Sequence, residues 1–242
     1  MDKIYLFAIP YAGGSAAVIY GKWARYLQKH FIVMPLEMAG HGRRMSEQFH
    51  ENMDEVVADL FNMVRPIAKN HPYVIYGHSM GCIITYELVK KLQIAGYPPP
   101  QTIFLSGRNP PDHAYASNSL HLLADNIFLQ EIRKIGGTPD EFFEMKSLVD
   151  AFLPIIRSDY RIIEHYVFSP PIHVMDTDLV FLHSDQDVLV SEPTIHEWQR
   201  YCSGRFEVEK FQGGHFFIND YTETICELIG RSLSIPLSKT VL

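Results

Sequence analysis

Short runs of β-branched and aromatic residues, Ile4 to Ile9, Phe31 to Leu36, Tyr73 to Tyr76, Thr102 to Ser106, Leu179 to His183 and Phe206 to Phe211, alternate with longer stretches patterned as helices. Runs this short and this continuously apolar suit parallel strands, because a parallel sheet needs crossover helices that bury both of its faces. The alternation therefore predicts an α/β fold with a mostly parallel central sheet flanked by helices. At 242 residues, one domain spanning 1–242 is enough to hold it.

Helical patterns fill Ala16 to Gln28, Met53 to Ala68, Cys82 to Ala95, Glu192 to Tyr201 and Tyr221 to Leu233, and Pro66 should kink or shorten the second of them. The rhythm breaks between about 113 and 170, where helical stretches follow one another with no strand between them. Asn109-Pro110-Pro111-Asp112 and Ser169-Pro170-Pro171 bracket this segment with turn-forming sequence. It reads as a helical lid inserted into the sheet's connections.

A formal net charge of −7 provides no basic field for a polyanion, so nucleic acid is not an expected partner. Only six mostly apolar residues, Ile4 to Ile9, precede Pro10, too few for a signal peptide's apolar core or a membrane span. A cytoplasmic protein is expected. Cys82, Cys202 and Cys226 form no short-spaced pair, which points to buried thiols rather than a disulfide framework or zinc cluster.

Gly77-His78-Ser79-Met80-Gly81 lies between the Tyr73 strand pattern and the Cys82 helix pattern. A serine nucleophile at the tip of a sharp strand-to-helix turn requires small residues two positions to either side, where side chains would strike the neighbouring strand and helix. Ser79 is the candidate nucleophile. His78 points away from it on such a turn and is assigned to structure or pocket lining, and Cys82 to packing. A serine hydroxyl needs a general base, and the base needs an acid to fix its tautomer. His215 follows the last strand pattern in Phe211-Gln212-Gly213-Gly214-His215, where two glycines allow a tight loop. The acid should follow the Leu179 strand, where Asp185 and Asp187 compete, and the loser becomes a turn former. An oxyanion hole takes one N–H from the residue after the nucleophile, Met80, and one from an early strand-end loop. In Ile9-Pro10-Tyr11-Ala12-Gly13-Gly14 this is Ala12, with Tyr11 as the alternative. Gly40-His41-Gly42-Arg43-Arg44 fits a second rim loop and a simple turn equally well. No step of this chemistry asks for a metal or cofactor.

Across nearly the whole chain these residues resemble the α/β-hydrolase type II thioesterases that serve nonribosomal peptide and polyketide synthases. The marks are Pro10 to Gly14, Ala39 to Arg43, Gly77 to Gly81, Gly213 to Phe217 and, within the lid, Ile135-Gly136-Gly137-Thr138-Pro139 and Leu153 to Tyr160. Ala39 stands where that family usually has proline, and His183-Ser184 where glycine is common. The resemblance implies that Asp187, one helical stretch before Trp198, is the acid, and that the substrate is an acyl group on the phosphopantetheine thiol of a carrier protein; nothing in the sequence requires more than a monomer. Medium-chain fatty acyl carrier protein hydrolysis is the nearest alternative. A carboxylesterase or lipase on free esters shares the same triad, and a hydrolase fold kept as a binding module would break it.

Overall fold

The computed structural model describes residues 3–113, 119–137 and 140–235. Strands β1 (Ile4–Ile9), β2 (Phe31–Pro35), β3 (Tyr73–His78), β4 (Thr102–Ser106), β5 (Asp178–Ser184) and β6 (Phe206–Phe211) form one sheet in the order β2-β1-β3-β4-β5-β6, with every neighbouring pair parallel. Side chains alternate between its faces. Leu6, Ala8, Val74, Tyr76, Phe104, Val180 and Leu182 enter one core, while Phe7, Ile9, Ile75, Ile103, Leu105, Leu179 and Phe181 enter the other. This two-sided burial is why these strands read as continuous apolar runs. Edge strand β6 is the exception: Glu207 and Lys210 are exposed, which blunts the open edge.

Helices α1 (Ala16–Tyr20), α2 (Ala24–Leu27) and α9 (Thr222–Ser232) contribute to the first core, and α3 (Met53–Ala68) and α4 (Met80–Ile94) to the second. The expected single helix from Ala16 to Gln28 is instead two α-helical segments joined by a 3-10 turn over Gly21–Trp23. The tighter winding accompanies a fully buried Trp23, whose ring meets Tyr20 at 4.9 Å and Tyr76 at 4.8 Å. The pattern from Glu192 similarly divides into α8 (Glu192–Ile195) and a 3-10 stretch, His196–Tyr201. Pro66 does not shorten α3, which runs on to Ala68. So close to the helix end, its missing N–H removes a single bond.

Between β4 and β5 lie α5 (Asp125–Ile135), α6 (Asp140–Glu144) and α7 (Lys146–Glu164). They build a small core of their own from Phe128, Ile132, Ile156 and Tyr160, against which Ala12 of the loop after β1 packs. Arg157 binds this layer together, donating to the carbonyls of His121 and Leu123 and to Asp125 while its guanidinium lies 4.4 Å from the Phe128 ring centre. Thr138 and Pro139 of the lid motif lie outside the described residues, as do 114–118. No helix among the described residues is long and apolar enough to cross a membrane.

Candidate active site

The chain leaves β1 toward β2 on one side and returns to β3 on the other, so the loops after β1 and β3 open beside each other at the sheet's carboxyl edge. Crevices for ligands form at such switch points. Ser79 occupies the turn from β3 into α4 with φ 55° and ψ −114°, a backbone conformation side chains rarely adopt. The flanking glycines explain how the turn fits. A Cβ on Gly77 would stand 2.4 Å from the carbonyl oxygen of Gly81, and one on Gly81 would stand 2.4 Å from that of Ile9 at the end of β1. The turn is thereby pressed against the Pro10–Gly14 loop. Met80 begins α4, directly after Ser79.

His215 follows β6 on a loop stitched to β5. Asp185 N–H donates to Phe211 O, Gln186 N–H to Gly213 O, and the Ser184 hydroxyl to Gly214 O. This stitching separates the two candidate acids. Asp187 turns inward, its Oδ2 lying 2.9 Å from His215 Nδ1 and its Oδ1 accepting the Leu189 N–H at 3.0 Å. Both side chains of the pair are nearly fully buried. Asp185 is exposed and accepts the Gly213 N–H at 3.0 Å, a turn-forming bond. With Nδ1 facing a carboxylate, His215 carries its hydrogen there and leaves Nε2 as the basic nitrogen.

Ser79 and His215 line one cavity of about 420 Å³, together with Ala12, Tyr11, Gly107, Arg108, Asn109 and Phe216. Tyr11, Ala12 and Phe216 also border a second cavity of about 470 Å³, largely apolar and walled by Ile19, Ile132, Ile155, Ile156, Phe142 and Phe152. The site therefore has one approach with several charged and polar residues in its lining and one more apolar annex, and the loop after β1 borders both.

Sequence reasoning gave His78 a structural or pocket-lining role but not its partners, nor the part of Ser106 and Gly107 behind His215. His78 is fully buried, 4.9 Å from the His215 ring centre, and its Nδ1 lies 2.7 Å from Ser106 Oγ, which also meets the Tyr76 hydroxyl at 2.8 Å. Burial, followed by the neighbouring His215, pushes His78 well below the ordinary histidine range, which keeps it neutral. Gly107, at φ 71°, closes the gap: a Cβ there would stand 2.7 Å from His78 Cε1 and 3.0 Å from His215 Cε1. The only sequence signal was a Ser-Gly pair ending a strand. Gly107→Ala is expected to cost about 1–3 kcal/mol of stability and to reduce turnover by displacing the imidazole. Urea denaturation beside steady-state kinetics checks both effects. Trp198 lies farther out, where its Nε1 donates to Arg108 O at 2.9 Å and ties the segment after Asp187 to the loop after β4.

Residues 5–233 match the family model described as a thioesterase domain. Among solved structures, ClbQ from the colibactin NRPS/PKS pathway is 35% identical with a TM-score of 0.91, covering 96% of this chain and 98% of its own. The type II thioesterase BorB from the borrelidin biosynthetic cluster is 30% identical with a TM-score of 0.86, covering 96% of this chain and 93% of its own. Thioesterase PikA5 of Streptomyces venezuelae is 28% identical over 234 residues, spanning 97% of this chain and 82% of its own length. On the breadth of these matches and the hydrolase-type turn at Ser79, the chain belongs to the thioesterase family, as one of its type II, serine-hydrolase members.

Proposed function

We propose that this enzyme removes acyl groups from the phosphopantetheine thiol of carrier proteins in nonribosomal peptide or polyketide assembly, with Ser79, His215 and Asp187 as its triad. The observation that carries this reading is the shared cavity: Ser79 faces the same space as a histidine whose Nδ1 is held by a buried carboxylate. Ser79 Oγ attacks the thioester carbonyl while His215 Nε2 takes its proton, and the Met80 and Ala12 N–H groups receive the oxyanion. The C–S bond then breaks, and His215 returns the proton to the leaving pantetheine thiolate. Water next attacks acyl-Ser79 with His215 again as base. The ester C–O bond breaks, Ser79 regains its proton, and the free acid leaves. Asp187 keeps the imidazole oriented and stabilises its charged form.

Residues of the 113–170 segment serve as a lid within a single 1–242 domain, roofing the serine and limiting bulk water. Arg108, Asn109 and Lys134 in the cavity lining suit the polar pantetheine arm. A monomeric, cytoplasmic enzyme satisfies this scheme. The apolar annex favours one further reading, a medium-length fatty acyl group as cargo.

Comparing kcat/KM on acyl-carrier protein, acyl-CoA and an aryl ester of the same acyl group tests the substrate class. The carrier-bound thioester is expected to lead, and a preference for the free ester would refute this reading. Product chain length separates the two kinds of cargo.

A further inference from the structure

The lid helix and the loop after β1 meet through a buried polar contact outside the triad. Asp159 of α7 is 1% exposed, and its Oδ2 accepts the Gly13 N–H at 2.6 Å and faces His41 Nε2 at 2.9 Å. The other ring nitrogen of His41, itself 3% exposed, faces the carbonyl of Ala39 at 3.0 Å. The Ala39 carbonyl only accepts, and a carboxylate at Asp159 does too, so a His41 imidazolium, with a hydrogen on each nitrogen, fills both contacts. Burial opposes that charge, but Asp159, the Ala39 carbonyl and Glu37 outweigh it and raise the His41 pKa above the ordinary value.

The contact acts on the peptide next to the proposed oxyanion donor. Tyr11 O accepts the Gly14 N–H at 3.0 Å, closing a turn in which Gly13 has φ 78°. A positive φ at this third position is the mark of a type II turn, and the competing type I turn differs by a flip of the Ala12–Gly13 peptide. The Gly13 N–H belongs to that peptide, so the Asp159 carboxylate selects one of the two orientations. At the loop's far end the buried Glu37 accepts the Ala16 N–H at 2.8 Å and the Ala17 N–H at 3.2 Å. The segment from Gly13 to Ala17 is thus gripped by carboxylates from both sides.

We propose that Asp159 and His41 are positioning residues for catalysis, a latch by which lid helix α7 sets the oxyanion loop in its working geometry. The inference rests on the oxyanion role proposed for Ala12, but not on the identity of the acyl donor. Because the His41 pKa is raised, the imidazolium and its double contact persist at low pH and are lost as pH rises through the raised value. Asp159 and Glu37 are the charged groups facing the ring. The latch therefore loosens toward alkaline pH.

Phosphonylation of Ser79 by a fluorophosphonate tests the latch without any thioester, because the phosphoryl oxygen takes the oxyanion position. Asp159→Asn and His41→Gln are each expected to slow labelling and kcat by about 10- to 100-fold, with KM little changed. The double variant should be no slower than the worse single one, since the pair acts as a unit. Both variants should also flatten the alkaline fall in labelling rate. If either variant melts earlier yet labels at the wild-type rate below its melting temperature, the pair is only structural and the proposal fails. A wild-type enzyme that labels readily, loses rate in both variants and spares carrier thioesters would refute the substrate reading and uphold the latch.

Discussion

Asp187→Asn is expected to lower kcat by about 10,000-fold, whereas Asp185→Asn, two residues away on the same loop, should turn over nearly as fast as wild type. The asymmetry follows from where the carboxylates point. Asp187 is buried, with one oxygen on His215 Nδ1 and the other on the Leu189 N–H. An asparagine there keeps the Leu189 bond through its carbonyl and presents its NH2 to the imidazole. Nδ1 must then become the acceptor and the ring hydrogen moves to Nε2, where it blocks removal of the serine proton. Asp185 accepts one exposed backbone N–H, so its loss costs about 0.5–1.5 kcal/mol of loop stability and leaves the imidazole alone. Steady-state kinetics and thermal melting of both variants check the contrast.

Ser79→Ala should have the largest effect, a fall in kcat on the order of 10^6-fold, with the fold retained. The strained φ of 55° is imposed by the turn rather than by the hydroxyl, and no hydrogen bond of the Ser79 side chain holds the fold together among the described contacts. Its backbone does the holding: Ser79 N–H donates to Ser106 O at 2.7 Å, and Ser79 O accepts the Cys82 N–H. Alanine preserves both bonds. Circular dichroism should match wild type while free-acid release disappears.

The contrast between these two positions also shows what could be read from sequence. The sharp turn at Ser79 was legible because Gly77 and Gly81 lie between a strand and a helix pattern that their neighbours encode, although the strand end that Gly81 clears, at Ile9, is remote in sequence. The strands were legible for the same reason, since two-sided burial leaves unbroken apolar runs such as Thr102 to Ser106. Asp187 could not be separated from Asp185 by spacing, because the register between β5 and β6 and the Ser184 hydroxyl on Gly214 O decide which carboxylate turns inward. Gly107 and Ser106 support His215 across strands far apart in sequence, and His41 meets Asp159 at a separation of 118 residues. No local pattern reports such pairings. The broken helices after Ala16 and Glu192 failed for a related reason, as burial of Trp23 and Trp198 selects tighter winding where periodicity alone suggests a continuous α-helix.

The central claim is that an acyl group passes from a carrier protein's thiol through Ser79 to water. Single-turnover mixing of acyl-loaded carrier protein with the enzyme, quenched in acid and followed by intact and peptide mass, tests it most directly. The expected result is loss of the acyl mass from the carrier, its transient gain on the peptide containing Ser79, and recovery as free acid, with a carrier that stays loaded in the presence of Ser79→Ala. Unloading by Ser79→Ala at the wild-type rate, or an acyl adduct mapped to another residue, would contradict it.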